Sequence, residues 1–542
     1  MTNPPPPDPA AQEPEPPPPP PAGTGGRNAQ WIALGILLSR ISGLVRDMFI
    51  ARYFGTKDVA DVWRTALRMP NVLQNLLGEG TLSASFIPVY TDLIHRGKEK
   101  EAGRLAGAIF ALLFALAALL TLIGIAMAPV LVSLGAPGFT GAKKELAITC
   151  VRIVFPMAGV LVLSAWSLGV LNSHRRFFLP YVAPVLWNAA IIGTLFWFGS
   201  RESERDLVVL ACWGAFVGGI LQFLVQLPGV LRLQRHLKIR LNLRLQSVQR
   251  VLRTASHAIG GRGVVQISGW VDNILGSLMF GGAIAILAYA QTLYMLPVSL
   301  FGMSVAAAEL PELARNRQAA GDVIARRVNA GLAQIAVLIV PSVVGYLLLG
   351  DVIVAALFER GEFTRDDTIS VTLVLIAYSI GLLASTATRL MSSAFYAVQD
   401  TRTPARIAYL RVAVSAALGV LIILWIKFGN PGHARFGPIG LAAASSLGAW
   451  LEWSLLRRRL TSIARGIGLG RVLLIKLGAV ALVAAAVARG ITYVLPSGLD
   501  PILVAVAVLG PYAVIYLVVV HYLGIEARIP LIGRLLPARR RK

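Results

Sequence analysis

Apolar runs long enough to cross a membrane follow one another from residue 29 to residue 525. A transmembrane helix needs about 20 mostly apolar residues to span the hydrocarbon core of a bilayer. The sequence therefore predicts an all-α polytopic membrane protein with about 14 transmembrane helices, at residues 30–54, 60–94, 104–134, 145–172, 179–199, 207–231, 250–279, 283–313, 325–350, 368–398, 405–427, 436–456, 473–495 and 502–523.

The composition excludes a soluble multidomain enzyme. Hydrophobic residues make up 56% of the chain and charged residues 14%, whereas soluble domains average about 45–50% apolar and about 25% charged residues. The two cysteines, Cys150 and Cys212, lie inside apolar runs and have no metal-binding or redox spacing. We expect neither a metal site nor a catalytic cofactor.

The segment at residues 1–28 differs from the rest of the chain, because 12 of its first 21 residues are proline. With almost no apolar side chains to bury, this composition predicts an extended, disordered tail. The tail lacks the basic start and the apolar centre of a signal peptide. Two interpretations stand: a docking segment for a proline-binding partner, and a solvated extension without a specific partner.

The distribution of basic residues predicts the orientation in the membrane. With the amino terminus placed in the cytoplasm, the cytoplasmic segments contain 30 Lys and Arg residues and the outward segments contain ten. Cytoplasmic loops of membrane proteins carry such an excess, so we expect both termini in the cytoplasm. This distribution explains most of the net charge of +24 without nucleic acid as a partner, and it directs the basic loops towards anionic membrane lipids.

An internal repeat predicts two related halves. Phe86-Ile87-Pro88 and Glu309-Leu310-Pro311 occupy similar places at an offset of 223 residues, and two turns that end at Pro180 and Pro404 recur at an offset of 224. The offset covers six spans, so both halves have the same orientation. The repeat predicts two six-helix lobes related by an axis along the membrane normal, with a central substrate cavity where they meet.

These patterns divide the chain into segments. We predict a disordered cytoplasmic tail at residues 1–28, an N-lobe with helices 1–6 at 29–235, and a C-lobe at 236–430 and 431–460, which contain helices 7–11 and helix 12. Two additional helices follow at 461–525, and a basic cytoplasmic tail follows at 526–542.

Ionisable residues are unusually frequent in the first two spans. They are costly in the membrane, so they normally face a cavity or a partner. A surplus of arginine in a water-filled cavity predicts a site for a doubly charged oxyanion, because the planar guanidinium matches phosphate oxygens. The alternative is structural: Arg–Asp pairs hold the two helices together, and Arg52 extends to the interface. The residues concerned are Arg40, Arg46, Asp47, Arg52, Asp61, Arg64, Arg68 and Glu79.

The second half contributes fewer ionisable residues within its spans. Arg262 and Asp272 lie ten residues apart in the seventh span, close to one helical face, and Arg389 lies among small residues in the tenth. These residues are candidates to complete the anion site from the second lobe. A buried pair between Arg262 and Asp272 is the structural alternative.

Several motifs resemble those of the MurJ (MviN) lipid II flippase family, within the multidrug/oligosaccharidyl-lipid/polysaccharide (MOP) exporter superfamily. The resemblance covers essentially residues 29–525. Its most specific motifs are Ser39-Arg40-Ile41-Ser42-Gly43-Leu44-Val45-Arg46-Asp47, Ala51-Arg52-Tyr53-Phe54-Gly55, Met69-Pro70-Asn71-Val72-Leu73, Gly78-Glu79-Gly80 and Ala84-Ser85-Phe86-Ile87-Pro88.

This resemblance implies a function as well as a fold. It implies fourteen helices in two lobes, with a groove for a polyprenyl tail at the last two. The implied activity moves undecaprenyl-pyrophosphate-linked disaccharide-pentapeptide (lipid II) from the inner to the outer leaflet of the bacterial inner membrane, and cell-wall synthesis proteins are the implied protein partners. By motif match, the cavity arginines fall on Arg40 and Arg46, their acidic partners on Asp47 and Asp61, and the basic residue of the tenth span on Arg389.

The chain departs from the family pattern in three places. Gln74 and Thr292 stand where the family usually has arginines, and we hypothesise that Arg262 replaces the missing arginine of the second lobe. Asp272 matches one ligand of a sodium site found in some members, but the eleventh span has no carboxylate. Coupling to Na⁺, to H⁺ or to the membrane potential stays open.

Other functions make different demands on the sequence. A MOP exporter for another polyprenyl-pyrophosphate-linked glycan, of the O-antigen or capsule type, would need the same basic cavity. A drug/cation antiporter would need an acidic one. A membrane glycosyltransferase would need a carboxylate base or a metal site, and the chain has no Asp-x-Asp or His-x-x-His motif. We therefore predict a transporter, not an enzyme.

Overall fold

The computed structural model describes residues 24–302, 304–306, 309, 321–429, 431–462, 464–496 and 498–524. Within these ranges the side chains of residues 24–30, 32–33, 72, 76, 257–268, 321 and 431–433 are not described. The regular structure in the described ranges is helical, as predicted. The basic tail and residues 1–23 of the predicted disordered tail lie outside them. Residues 24–28, predicted as the end of that tail, belong to the first helix instead.

The first half of the chain forms nine helices in the part that the structure describes. They are α1 (Thr24–Phe54), α2 (Asp58–Leu77), α3 (Glu79–His95), α4 (Glu99–Ala126), α5 (Ala128–Gly135), α6 (Gly141–Ser173), α7 (Phe178–Val182), α8 (Pro184–Phe198) and α9 (Glu204–Leu233).

The second half continues in the same way. Its helices are α10 (Gln246–Ser277), α11 (Ala283–Pro297), α12 (Gly321–Phe358), α13 (Arg365–Ile380), α14 (Leu382–Ala397), α15 (Arg402–Gly429), α16 (Gly437–Thr461), α17 (Arg471–Val494) and α18 (Pro501–Tyr522). A π-helix at Val298–Gly302 extends α11 beyond Pro297, and a 3₁₀-helix at Pro431–Phe436 precedes α16.

Two long spans are interrupted. Gly78 separates α2 from α3, and α11 changes to π-helical geometry directly after Pro297. Proline has no backbone N–H, which removes one intrahelical hydrogen bond and disturbs the helix. A third break occurs between α13 and α14, whose axes differ by 43°.

Ten described helices are long and apolar enough to span a membrane, or eleven if α13 and α14 form one bent span. The chain is therefore a multi-pass membrane protein, and the count of fourteen stays a prediction. The predicted spans at 30–54, 60–94 and 250–279 are helical but do not belong to the eleven. They contain many of the ionisable residues that the sequence singles out.

The helices pack as two lobes and a terminal pair. In the first lobe α6 packs against α2, α4 and α9, and in the second lobe α16 packs against α13, α14 and α15. The pair α17 and α18 packs on α12. There the Tyr516 hydroxyl donates to the Val337 carbonyl at 2.6 Å. Pro341 leaves that carbonyl without its intrahelical donor, so the terminal pair supplies the missing hydrogen bond.

The internal repeat is visible in the backbone. Arg175 and Gln399, 224 residues apart, are the described non-glycine residues with positive φ, at 58° and 64°. Each lies in a turn closed by equivalent hydrogen bonds: the Arg176 N–H donates to the Leu171 carbonyl, and the Asp400 N–H donates to the Phe395 carbonyl, both at 2.9 Å. In both lobes a helix is followed by a residue in the left-handed conformation, at the same offset of 224 residues. This supports two related lobes.

Candidate substrate cavity

A cavity of about 770 Å³ lies between the lobes. Its wall consists of residues from α1, α2, α6, α8, α9 and α11, so the second lobe contributes through α11. Four of its lining residues are arginines and one is a carboxylate: Arg40, Arg46, Arg64, Arg68 and Asp47. Gln74 and Thr292, where the resembling family usually has arginines, also lie in this wall.

Asp47 is the centre of the charged part of the cavity. Its Oδ1 accepts hydrogen bonds from Arg46 Nη2 at 2.9 Å and from Arg64 Nη1 at 3.4 Å. The Thr292 hydroxyl donates to Oδ2 at 3.3 Å. One buried carboxylate therefore joins the first two helices to α11 of the other lobe, and it neutralises only part of the surrounding positive charge.

Residues of α8 fix the position of the Arg46 guanidinium. Arg46 Nη1 donates to Asn188 Oδ1 at 3.1 Å, and the Arg46 guanidinium carbon lies 5.0 Å from the centre of the Trp187 ring. A cation over an aromatic ring is stabilised by the negative face of the ring. Neither residue is among the predicted site residues, although an asparagine within an apolar span is a detectable signal.

Arg64 is one of the ionisable residues that stand out in the first two spans, although the sequence predicts no individual role for it. Its Nε and Nη2 are buried and have no hydrogen-bond partner among the described residues. Its guanidinium carbon lies 4.9 Å from the centre of the Tyr289 ring, and the Tyr289 hydroxyl donates to the Gly55 carbonyl. Buried donors without acceptors are costly, and Arg64 brings its positive charge to the cavity wall.

Arg40 and Arg68 contact the second half of the chain. Arg40 is exposed, and its Nη1 donates to the Ser299 hydroxyl at 2.8 Å. Arg68 Nη1 donates to the Gly269 carbonyl at 3.0 Å. Both side chains retain further donors that can turn towards a ligand, since a guanidinium has five N–H groups.

The structure places Asp61 outside the cavity wall. Asp61 is 1% exposed, and its Oδ2 accepts hydrogen bonds from Lys143 Nζ at 2.8 Å and from the Gly282 N–H at 2.7 Å. Its Oδ1 accepts from the Ala285 N–H at 2.9 Å. A carboxylate at the start of a helix satisfies free N–H groups there, so Asp61 caps α11 of the opposite lobe.

Asp61 belongs to a dense contact between the lobes, which we call the closed end: Gly55, Thr56, Lys57, Asp61, Gly282, Glu362 and Asp367. Lys57 Nζ binds Glu362 at 2.6 Å, and the Thr56 hydroxyl donates to Asp367. The Glu362 N–H donates to the Arg52 carbonyl at 2.8 Å. Because these contacts lie where α1 ends, they shut the cavity off on the side of Phe54.

Two other predicted site residues, Arg52 and Glu79, lie outside the cavity wall. Arg52 is exposed beside the closed end, and Glu79 is exposed at the start of α3. The side chain of Arg262 lies outside the described residues, so its proposed replacement of a missing arginine stays a prediction. The role of each of these residues in binding is likewise a prediction.

A second group of charges lies in the second lobe. Arg411 Nη1 donates to Glu452 at 2.8 Å, and Arg389, although exposed, interacts electrostatically with this pair. Asp272 lies within electrostatic range of Arg68 and Arg411, so it links this group to the cavity. Among the described residues no three His, Cys, Asp or Glu side chains are grouped as metal ligands. Glu452 is not among the predicted site residues.

Comparisons with known proteins agree on one family. The family model described as lipid II flippase MurJ matches residues 50–509. A Vibrio cholerae protein named probable lipid II flippase MurJ is 31% identical over 434 residues, which are 78% of this chain and 80% of that protein. A Burkholderia cenocepacia protein named lipid II flippase MurJ is 32% identical over 431 residues, with shares of 78% and 80%.

Solved structures show the same fold. A lipid II flippase MurJ in an inward closed conformation superposes with a TM-score of 0.74 at 23% identity, covering 91% of this chain and 99% of that chain. An inward-facing multidrug resistance MATE family transporter of the MOP superfamily superposes with a TM-score of 0.64 at 18% identity, with shares of 80% and 98%. By its match to the family model and to these relatives, the chain belongs to the lipid II flippase MurJ family.

Proposed function

We propose that this protein moves lipid II from the inner to the outer leaflet of the bacterial inner membrane by alternating access. The two lobes rock about the cavity, and no covalent chemistry is required. The family membership and the names of the relatives support this proposal. The excess of basic residues in alternate loops supports an orientation with both termini in the cytoplasm.

The observation that carries the proposal is the surplus of arginine in the cavity. Four guanidinium groups and one carboxylate line a single space, and two nitrogens of Arg64 have no acceptor. A pyrophosphate would supply the missing negative charge, because arginine binds phosphate oxygens in bidentate fashion. Its charge also faces a large cost in a low dielectric unless cations accompany it.

The lipid tail of such a substrate needs an apolar surface next to the cationic site. The amino-terminal half of α1 exposes Leu37, Leu38 and Ile41 beside the exposed Arg40. Apolar side chains of a membrane helix are stable in contact with lipid. A polyprenyl chain can therefore stay in the bilayer while the pyrophosphate enters the cavity.

The closed end indicates which step the structure represents. Contacts between the lobes shut the cavity on the side of Phe54, whereas Arg40 lies about 21 Å away along α1 (14 residues at about 1.5 Å each) and is exposed. With the amino terminus in the cytoplasm, the arginines face the inner leaflet. Release on the outer side then requires the contacts of the closed end to separate.

The test is transport of lipid II in proteoliposomes that contain the purified protein. Arg46→Ala removes a guanidinium held by Asp47, Asn188 and Trp187, so we expect transport to fall at least about tenfold, since charge-assisted hydrogen bonds contribute about 1.5–3 kcal/mol. Arg205→Ala is the matched control, because Arg205 is exposed at the start of α9 and lies outside the cavity wall.

Two results would contradict the proposal. Transport at the normal rate by well-folded Arg46→Ala protein would show that the cavity arginines do not carry the pyrophosphate. Transport of an O-antigen-type or capsule-type polyprenyl-pyrophosphate glycan, with none of lipid II, would instead establish the alternative substrate class.

A further inference from the structure

The segment that connects the two lobes has properties of a membrane-surface element. Residues 234–245, which we call the lobe linker, join the end of α9 to the start of α10. In it, apolar residues alternate with basic or polar residues from Leu237 to Leu245. Residues 237–242 adopt neither helix nor turn. The side chains from Lys238 to Arg244 are all exposed; we call Ile239, Leu241 and Leu243 the apolar side of the linker, and Lys238, Arg240 and Arg244 its basic side.

The apolar side of the lobe linker is unusually uncovered. Ile239, Leu241 and Leu243 are 62%, 54% and 46% exposed. Leu237 and Leu245, at the two ends, pack against the apolar core of the first lobe. The linker is therefore anchored at both ends, and its centre presents three apolar side chains that nothing in the described chain covers.

The basic side has no partners within the described chain either. Lys238, Arg240 and Arg244 are exposed, and none has a carboxylate within 4.0 Å among the described residues. Backbone N–H groups at positions 238–243 donate no hydrogen bond to that part of the chain. Such groups are too costly for the hydrocarbon core, so the linker belongs where water reaches it.

The position of the linker on the first lobe places it near the surface of the membrane. The backbone of the linker crosses α4 at Gly103 and Gly107, where a methyl group would collide with the carbonyl oxygens of His236 and Lys238. Gly107 lies about 12 Å from Glu99 along the helix (eight residues at about 1.5 Å each). The apolar part of α4 begins there, so Ile239 reaches the level at which the bilayer starts.

We propose that the lobe linker binds the headgroup region of a membrane leaflet rich in anionic phospholipid. Ile239, Leu241 and Leu243 insert shallowly between acyl chains, while Lys238, Arg240 and Arg244 contact the lipid phosphates. Basic residues near an anionic membrane surface are attracted to it, and short apolar side chains add affinity without crossing the bilayer. With the orientation in the proposed function, this leaflet is the cytoplasmic one.

The proposed contact would make transport sensitive to lipid composition. The linker is the covalent connection between the lobes, and α10 begins at Gln246, directly after it. Holding the linker at the headgroups fixes the starting point of α10 while the lobes rock. Anionic lipid is therefore expected to change the rate of the lobe movement, in addition to stabilising the protein.

The experiment uses an environment-sensitive dye on the full-length protein. Leu241→Cys provides the labelling site, because the native Cys150 and Cys212 are both 0% exposed. The protein is reconstituted in vesicles of phosphatidylglycerol with phosphatidylcholine, or of phosphatidylcholine alone, each with a brominated lipid as quencher. We expect strong quenching at position 241 in the anionic vesicles. Lys100→Cys is the control: Lys100 is exposed at the same end of the molecule, and its dye should stay in water.

Charge reversal separates the basic side from the apolar side. Lys238→Glu combined with Arg240→Glu should weaken the effect of phosphatidylglycerol on quenching at least about tenfold. Equal quenching in both vesicles would overturn the role of the basic residues. If the dye at position 241 stays in water in both kinds of vesicle, membrane binding is overturned. The backbone N–H groups of the linker would then be free to bind a protein partner instead. Neither measurement involves transport, so failure here is distinct from failure of the proposed function.

Discussion

Asp61 and Arg64 lie only three residues apart on α2, yet they belong to two opposite kinds of environment. At the closed end the Asp61 carboxylate accepts hydrogen bonds from Lys143, Gly282 and Ala285. Arg64 lines the cavity with two nitrogens that lack acceptors. The difference shows that one helix serves both as a contact between the lobes and as a ligand site, depending on what the other lobe places opposite each turn.

The physical reason lies in the neighbours of each group. At the closed end, backbone N–H groups at the start of α11 and an ammonium group surround the buried carboxylate, so its charge is compensated within the protein. In the cavity, four guanidinium groups share one carboxylate. The first arrangement stabilises a conformation, and the second leaves binding energy available for an anionic ligand.

The largest effect is expected at the cavity. Arg64→Ala removes a buried guanidinium with free donors, so the affinity for lipid II should fall about tenfold to a hundredfold, as expected for the loss of a charge-assisted hydrogen bond. Binding to the purified protein in nanodiscs is the measurement, and Arg64→Lys should recover part of the affinity. If folded Arg64→Ala protein bound lipid II with unchanged affinity, Arg64 would not be a ligand-binding residue. The contrast drawn between the cavity and the closed end would then be wrong.

A smaller effect is expected at Asp61. Asp61→Asn removes the charge that binds Lys143 and caps α11, so the closed end should separate more often. A Thr292→Cys probe in the cavity wall, labelled by an impermeant thiol reagent from the Phe54 side, should react about tenfold faster, because a buried charged carboxylate binds the N–H groups at the start of α11 more strongly than a neutral amide oxygen does.

Asp58→Asn is the matched control for that measurement. Asp58 binds the same Lys143 Nζ at 2.7 Å, but its side chain is 62% exposed. Exposed ion pairs contribute about 0–1 kcal/mol, so labelling should hardly change. Equal labelling in both variants would show that Asp61 does not hold the lobes together.

Lys57 distinguishes contacts within one lobe from contacts between lobes. Glu362→Gln breaks a bond to the second lobe and Glu204→Gln breaks one within the first, so only the former should raise labelling of the Thr292→Cys probe, by about twofold to threefold given the usual strength of exposed pairs. If Glu204→Gln raised labelling more than Glu362→Gln, the bond between the lobes would have no role in closure.

The same residue predicts a dependence on pH. Hydrogen bonds to Glu204 and Glu362 raise the pKa of Lys57 above its ordinary value of 10.5. When a contact raises the pKa of a cation, the stabilisation of the closed end by that contact is complete below the ordinary pKa of 10.5. It is lost as the pH rises through the raised pKa. Because a thiol reacts as the thiolate, labelling is compared with that of a freely exposed cysteine at the same pH. The ratio of the two rates should be constant across neutral pH and increase only in strongly alkaline buffer.

The smallest effect is expected for Thr292→Val. The change removes the 3.3 Å hydrogen bond to Asp47 but leaves both arginine contacts in place, so lipid II affinity should change about threefold or less, as for a single neutral hydrogen bond. A change as large as that of Arg64→Ala would mean that α11 positions Asp47 more strongly than the arginines do.

Much of the cavity could be predicted from the sequence. Arg40, Arg46, Asp47 and Arg68 stand out because ionisable residues within apolar spans need a cavity or a partner, and the structure places all four in one wall. Asp61 is likewise an ionisable residue in an apolar span with a partner, but that partner is the start of a helix 221 residues away. Sequence position does not reveal that a backbone N–H is the partner.

Other features depended on which helices meet. Trp187 and Asn188 became part of the cavity because α8 packs beside α1, and neither has a charge that marks it in the sequence. Arg64 is visible in the sequence as a charge. That its Nε and Nη2 have no acceptor among the described residues depends on which side chains the fold places around them.

The sequence by itself determined that the chain is a multi-pass membrane protein, where most of its helical spans lie and that it contains a two-lobe repeat, because each follows from local hydropathy or from similarity along the chain. Only the tertiary structure decided which charges face a cavity and which join the lobes. An ionisable side chain in a membrane must find compensation, and the groups that provide it for Asp47 and Asp61 come from helices far apart in the chain.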